Sequence, residues 1–193
     1  MKISEEYFDF ETDGDTKLIS ILEKAVSFSN DYEPSKKEGH WLTFLGSCGV
    51  GKTHLAKGIF KYVKDHHTQY LSRYGITQFR SNLFSYWPDI VDALRGGDYG
   101  RLNPLYSADF LAIDDLGAEY ESDFINSKLQ QLLNKRLNKW TVITSNLSLD
   151  DFSLKDERIA SRLVRGENKV IQIDATDYNL KHFSSIKNPN NIK

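Results

Sequence analysis

A chain of 193 residues, of which 39% are hydrophobic, is long and apolar enough to fold as one α/β domain with a substantial core. Its formal net charge of −2 argues against a monomer that binds nucleic acid simply by being basic. The single cysteine excludes an internal disulfide and suits a reducing cytosol, and no apolar run is long enough to span a membrane. A cytoplasmic protein without membrane association is therefore expected.

The chain divides into three predicted parts. Residues 1–39 form a short N-terminal segment, in which apolar residues at helical spacing predict an amphipathic helix over about 16–30. Residues 40–183 form the core domain. The polar residues 184–193 are expected to be a disordered tail.

Residues 46–53, with the sequence GSCGVGKT, match the phosphate-binding pattern G-x-x-x-x-G-K-[ST]. An apolar strand is predicted over 41–45 directly before this loop, and an amphipathic helix over about 54–65 directly after it. Strand, glycine-rich loop and helix are the context that a P-loop requires. The glycines let the backbone turn so that successive N–H groups point inward at an anion.

Two side chains of this loop carry the predicted phosphate chemistry. Lys52 places a positive charge at the β- and γ-phosphates of a nucleotide, and the hydroxyl of Thr53 can ligate Mg²⁺. The predicted nucleotide-binding residues are Gly46, Ser47, Cys48, Gly49, Val50, Gly51, Lys52, Thr53 and His54.

The stretch after the P-loop helix predicts another strand and another helix. Residues 75–79 (GITQF) have the composition of a second strand. Ser81 or Asn82 can then cap a helix that runs to about Arg95. Pro88 either kinks that helix or starts it, and the residues alone leave both possibilities open.

The apolar segment 110–115, with the sequence FLAIDD, is the second chemical landmark. A strand that ends in two carboxylates is a Walker B pattern, in which Asp114 would hold Mg²⁺ and Asp115 would orient the attacking water. Alone, the pattern is equally compatible with a simple turn. Its position about 60 residues after a P-loop favours the metal interpretation, because a bound phosphate needs a metal and the metal needs a carboxylate.

Three further elements follow. The apolar face of 122–139 predicts a long helix, and 140–144 predicts a strand. Asn146, just after that strand, either reaches the γ-phosphate or the attacking water, or merely caps a turn. A helix from Asp156 carries Arg158 and Arg162 on one face, where they are either solvated or reach the ATP of a neighbouring subunit. Residues 170–173 predict a last strand.

The segments GSCGVGKTHLA, FLAIDDLG, VITSN and DERIASRL, in this order, resemble the helicase-loader and transposition-helper branch of AAA+ ATPases, the DnaC/DnaI/IstB group related to DnaA. The resemblance covers about residues 35–182. It implies a P-loop NTPase fold of α/β class, an AAA+ core with a parallel five-stranded sheet between helices and little or no C-terminal lid. It also implies ATP and Mg²⁺, with the site completed at the interface of a homo-oligomer.

The resemblance also implies roles for particular residues. Lys52 and Thr53 correspond to Walker A, and Asp114 and Asp115 to Walker B. Asn146 corresponds to sensor 1. Among the two arginines, Arg162 corresponds to the arginine finger and Arg158 to a second arginine at the interface.

Two departures from the family pattern concern the ends of the chain. Asn179 stands where the family has an arginine called sensor 2, and Lys181 would lie on a different helix face. Fewer than 40 residues precede the core, whereas loaders usually carry a separate N-terminal domain that binds the helicase. The sequence therefore leaves open both the sensing of nucleotide from the C-terminal side and the means of binding a partner.

The sequence favours an ATPase that acts with a replicative hexameric helicase on single-stranded DNA. The alternatives are an IstB-like transposition helper, a stand-alone P-loop kinase and a module that binds without hydrolysis. The residues expected to contact DNA are basic or aromatic and lie between the second strand and Walker B: Arg80, Phe84, Tyr86, Trp87, Arg95 and Arg101.

Overall fold

Five apolar segments form a sheet in which every strand runs parallel to its neighbours. The computed structural model describes residues 6–33, 38–74, 81–117, 122–178 and 180. The strands are β1 (Trp41–Gly46), β2 (Asn82–Tyr86), β3 (Phe110–Asp114), β4 (Trp140–Ser145) and β5 (Lys169–Ile173). Their order across the sheet is β2-β3-β4-β1-β5. The predicted parallel five-stranded sheet is confirmed.

Helices cover both faces of the sheet. They are α1 (Thr16–Asp31), α2 (Lys52–Tyr74), α3 (Trp87–Arg95), α4 (Leu102–Ser107), α5 (Asp123–Lys135) and α6 (Leu149–Leu163), with a 3₁₀ turn over Tyr99–Arg101 before α4. Side chains alternate along each strand, so Leu111 and Ile113 of β3 pack with α3 to α6, whereas Phe110 and Ala112 pack with α1 and α2. Each face therefore has its own apolar core.

The region around β2 differs from the sequence prediction. Residues 82–86 form the strand, where a helix from Ser81 or Asn82 was expected, and the strand predicted over 75–79 lies outside the described residues. The helix begins only at Trp87, with Pro88 in its first turn, so Pro88 starts the helix rather than kinking it. The alternating sequence NLFSY pairs with β3, and this pairing outweighs the capping signal of Asn82.

Three further helices have different bounds from those predicted. α2 runs to Tyr74, where a helix to about residue 65 was expected. α5 ends at Lys135 instead of 139, because Arg136 caps it and Asn138 adopts a left-handed conformation with φ of 60°. α6 begins at Leu149, and Asp156 interrupts it with an extended backbone. Beyond β5, the described residues 174–178 and 180 form no separate lid domain. No helix in the described ranges combines the length and apolar character that crossing a bilayer requires.

The register of the strands sets the position of the site. Leu45 of β1 pairs with Ser145 of β4, and Asp114 of β3 pairs with Tyr86 of β2. The carboxyl ends of these four strands therefore meet at one edge of the sheet. The loops that follow them carry the P-loop, the paired carboxylates and Asn146, so segments far apart in the sequence become neighbours.

Arg136 is a fully buried cation at the opposite edge of the sheet. Its guanidinium donates to the carbonyl oxygens of Leu105, Ala108 and Trp140 and, over 3.2 Å, to the hydroxyl of Thr141. Burial lowers the pKa of Arg136 to about 10, which still leaves it charged at neutral pH. It joins α4 and the start of β4 to the end of α5.

We expect Arg136→Met to lower the free energy of unfolding by roughly 3 kcal/mol or more, because each carbonyl left buried without a donor costs about 1–3 kcal/mol. Chemical denaturation followed by circular dichroism measures this change. The matched control is Lys135→Ala, which removes an exposed cation next to Arg136 and should change stability by about 0.5 kcal/mol or less. Equal effects of the two substitutions would contradict the role given to Arg136.

Candidate active site

The loop after β1 has the backbone conformation of a phosphate-binding loop. Gly49 and Gly51 have φ values of 75° and 91°, which residues other than glycine rarely adopt. A Cβ atom at Gly49 would collide with the carboxylate of Asp177, and the N–H of Tyr178 donates to the Gly49 carbonyl over 3.0 Å. The residues after β5 thus pack directly on this loop, which a side chain at Gly49 would prevent.

Lys52 is the first residue of α2, and only 6% of its surface is exposed. Its ammonium donates to the carbonyl oxygens of Gly46 and Ser47, at 2.8 and 2.6 Å, and to Oδ1 of Asn146, at 2.8 Å. Burial lowers the pKa of Lys52, while the nearby Cys48, Asp115 and Asp114 act in the opposite direction. Three oxygen atoms therefore occupy the three donors of an ammonium that points into the site.

Thr53 and Asp114 lie side by side. The hydroxyl of Thr53 donates to Oδ1 of Asp114 over 2.9 Å, and the hydroxyl of Thr144 in β4 donates to the same atom over 2.6 Å. Within the described ranges, no cluster of three or more His, Cys, Asp or Glu side chains could hold a metal by itself. The Thr53–Asp114 pair fits Mg²⁺, which binds one or two protein oxygens together with phosphate oxygens and water.

Asp115 is fixed by its neighbours on several sides. Its φ of 62° places it in the left-handed region, and its N–H donates to the hydroxyl of Thr144 over 2.9 Å. Its Oδ1 accepts from Nδ2 of Asn146 at 2.8 Å, and its Oδ2 accepts from the hydroxyl of Tyr86 at 3.3 Å. The second carboxylate after β3 thus faces the same space as Lys52.

Asn146 links the P-loop to the carboxylates. It contacts Lys52 through its oxygen and Asp115 through its nitrogen, and the following helix is capped by Ser148 instead. The turn-capping alternative therefore does not describe this side chain. Thr144, which joins Asp114 to Asp115, was not among the predicted site residues. The sequence feature that could have indicated it is a hydroxyl residue two positions before Asn146, in the strand next to Walker B.

The other predicted residues of the loop differ in exposure. Val50 packs in the core, whereas Ser47, the free thiol of Cys48 and His54 are exposed. His54 lies in the first turn of α2 and forms no contact with the Lys52–Asn146–Asp115 group in the structure.

The two arginines of α6 lie on its exposed face, as predicted, while Ile159 and Leu163 are buried. Arg158 pairs with Asp156 over 3.1 Å. Arg162 donates to Oδ1 of Asn134 over 2.8 Å and to the carbonyl of Arg158 over 2.7 Å. The structure does not bring either arginine to the P-loop of the same chain.

The position of Arg162 relative to its own P-loop follows from Asn168. The Asn168 side chain donates to the carbonyl of Arg162 over 2.8 Å and accepts from the N–H of Trp41 over 2.8 Å. Trp41 is the first residue of β1, and the P-loop follows the last. A strand of six residues spans roughly 20 Å, so Arg162 and the P-loop of one chain lie at opposite ends of β1.

A parallel sheet in the order β2-β3-β4-β1-β5, with a glycine-rich loop after β1 and paired carboxylates after β3, defines a P-loop NTPase of the AAA+ type. Residues 1–185 match the family of IstB-like ATP binding proteins, and the chain belongs to this family.

Relatives with the same core act in DNA replication. The chain is 26% identical over 189 residues to the replicative helicase loader DnaC of Buchnera aphidicola subsp. Acyrthosiphon pisum, and the match covers 92% of this chain and 70% of that protein. A crystal structure of DnaI has a TM-score of 0.68 at 26% identity, and the match covers 88% of this chain and 87% of the chain in that structure. For a crystal structure of the DnaC helicase loader, the TM-score is 0.67 at 26% identity, with coverages of 83% and 92%.

Proposed function

We propose that the chain is a Mg²⁺-dependent ATPase, and the observation that carries this proposal is the group formed by Lys52, Asn146 and Asp115. In the reaction, a water oxygen attacks the γ-phosphorus, the bond to the ADP oxygen breaks, and ADP and inorganic phosphate leave. Mg²⁺, when bound, neutralises charge on the phosphate oxygens. Thr53 and Asp114 are the residues that would hold it.

The remaining roles belong to side chains of this chain. Lys52 exchanges its contacts with loop carbonyls for contacts with phosphate oxygens. The cost of desolvating its ammonium on binding is small, because Lys52 is already buried. Asp115 accepts a hydrogen bond from the attacking water and orients it. Asn146 lies between the two and can contact both the water and the γ-phosphate.

Two substitutions separate binding from hydrolysis. Lys52→Ala should abolish ATP binding, because the phosphates lose their compensating charge. Asp115→Asn should keep binding and lose hydrolysis, because the amide is a poor acceptor for the proton of the water. Binding of a fluorescent ATP analogue and release of phosphate measure the two properties. Normal turnover by Asp115→Asn would overturn the role of Asp115.

The proposal includes a site that is completed by a second subunit. It is supported by the location of Arg162, which is only partly buried and lies at the far end of β1 from its own P-loop. A neighbouring subunit of a homo-oligomer can bring such an arginine to the γ-phosphate, where its charge stabilises the transition state. Arg158, which pairs with Asp156, is the second interface arginine.

Mixing two inactive variants tests the shared site. An Arg162→Ala subunit retains its P-loop, and a Lys52→Ala subunit retains its arginine. Each alone should be nearly inactive, because Lys52→Ala does not bind ATP and Arg162→Ala lacks the arginine finger, which supplies about 10³–10⁵ in rate. The mixture should recover part of the activity. Absence of recovery, with co-assembly confirmed by analytical ultracentrifugation, would contradict a site shared between subunits.

The biological role we propose is that of a helicase loader, which acts with a replicative hexameric helicase on single-stranded DNA. The support is the likeness to proteins named as helicase loaders: the match covers 70% of the DnaC of Buchnera aphidicola and 92% of the chain in the crystal structure of the DnaC helicase loader. A transposition helper is the second candidate, and it is supported by the match to the IstB-like family. A P-loop kinase is the weaker candidate. Arg162 lies far from the P-loop of its own chain, and this placement suits an oligomeric ATPase better than a kinase that works as a single chain.

The fold corrects the set of residues expected to contact DNA. Trp87 is fully buried, and Phe84 is half-buried against Phe60, with ring centroids 5.7 Å apart, so both belong to the core. Arg80 lies outside the described residues. Arg95 at the end of α3 and Arg101 in the 3₁₀ turn are exposed and stay candidates.

We expect single-stranded DNA to bind only when a non-hydrolysable ATP analogue is present, and cooperatively with protein concentration. A single chain of net charge −2 attracts phosphates weakly, whereas an assembly aligns several weak contacts along one strand. Fluorescence anisotropy of a labelled oligonucleotide measures this binding, with Arg95→Ala/Arg101→Ala as the variant and Lys135→Ala as its matched control. If DNA binding depends neither on the nucleotide nor on these arginines, the proposal that several assembled subunits bind one DNA strand together is contradicted.

A further inference from the structure

Tyr86 is the last residue of β2 and lies outside every motif that defines the site. Its hydroxyl donates to Oδ2 of Asp115 over 3.3 Å. From the sequence, Tyr86 is expected to contact DNA. The fold instead places its hydroxyl on the carboxylate that is proposed to orient the attacking water.

The backbone around Tyr86 holds it in this place. Tyr86 pairs with Asp114 in the β2–β3 register, and the next residue, Trp87, is fully buried. Pro88 sets the start of α3 directly afterwards. Tyr86 as a whole is 44% exposed, so it contributes little to the core, and packing alone does not account for its position.

The contact completes the restraint of Asp115. Asn146 donates to Oδ1 of Asp115, and the N–H of Asp115 donates to Thr144. Neither hydrogen bond prevents the carboxylate from rotating around the Asn146–Oδ1 hydrogen bond. A donor on Oδ2 fixes the second oxygen and thereby the plane of the group. Desolvation and the charge of Asp115 raise the pKa of the Tyr86 phenol. An ordinary phenol is already protonated at neutral pH, so the hydroxyl can donate there.

We propose that Tyr86 is a positioning residue that fixes the orientation of the Asp115 carboxylate toward the attacking water. This inference rests on the proposed ATPase activity. Tyr86 does not touch the phosphates in this role; it acts through Asp115. The residue therefore affects the rate of the chemical step rather than the affinity for ATP.

Tyr86→Phe removes only the hydroxyl and keeps the ring. We expect kcat to fall on the order of tenfold, because small losses of orientation cost between a few-fold and about a hundredfold in rate. The KM for ATP, the binding of a fluorescent ATP analogue, the melting temperature and DNA binding should stay unchanged. The matched control is Tyr99→Phe, which removes a hydroxyl from a tyrosine that is 54% exposed and stacks edge-on with Phe124, and which should leave kcat unchanged.

A spectroscopic measurement tests the contact without ATP turnover. The alkaline absorbance titration of the wild type minus that of Tyr86→Phe gives the curve of the Tyr86 phenol. The same difference measured in an Asp115→Asn background should shift to lower pH, because the phenolate no longer forms beside a negative charge. An unshifted curve would overturn the contact between the two side chains.

The kinetic outcomes are also separable. If Asp115→Asn is inactive but Tyr86→Phe turns over like the wild type, the positioning role is wrong while the ATPase stands. If Asp115→Asn itself turns over normally, the proposed mechanism fails first. A Tyr86→Phe protein with unchanged kcat and weakened DNA binding would instead assign the hydroxyl to DNA contact and overturn the inference.

Discussion

The buried ammonium of Lys52 is the constraint on which the arrangement of this site depends. A cation out of water is tolerated only where oxygen atoms surround it, and here two come from the P-loop backbone and one from Asn146. This requirement holds the loop after β1 against the end of β4. Phosphate oxygens can replace the same atoms, so the contacts that hold the loop in this conformation also suit the binding of a nucleotide.

From Lys52, a chain of hydrogen bonds crosses four neighbouring strands. It runs from the P-loop after β1 to Asn146 after β4, on to Asp115 after β3, and ends at Tyr86 of β2. Each link joins side chains at the ends of adjacent strands. A positive charge at one end and a carboxylate near the other are therefore held at a fixed separation, which suits a reaction in which a water must meet a phosphate at a defined point.

The two ends of the sheet serve different purposes. At one edge, Lys52 and Asp114 are buried whereas Asn146 is exposed. At the other, the fully buried Arg136 donates to carbonyls in and just after α4 and at the start of β4, and so joins these two segments. Arg162 is connected to this second edge through Asn168. This placement is the basis of the proposal that Arg162 completes the site of another subunit.

The sequence alone identified the P-loop and the Walker B pattern, because glycine spacing and strand-end carboxylates are local signals. The family resemblance carried by these and the later motifs then implied the parallel sheet. The sequence did not locate β2, since NLFSY is a strand only by pairing with β3. It also assigned Tyr86 and Trp87 alike to DNA contact. Only the tertiary structure separated them, by burying the Trp87 ring and placing the Tyr86 hydroxyl on Asp115, because contacts between residues 29 positions apart depend on strand order and register.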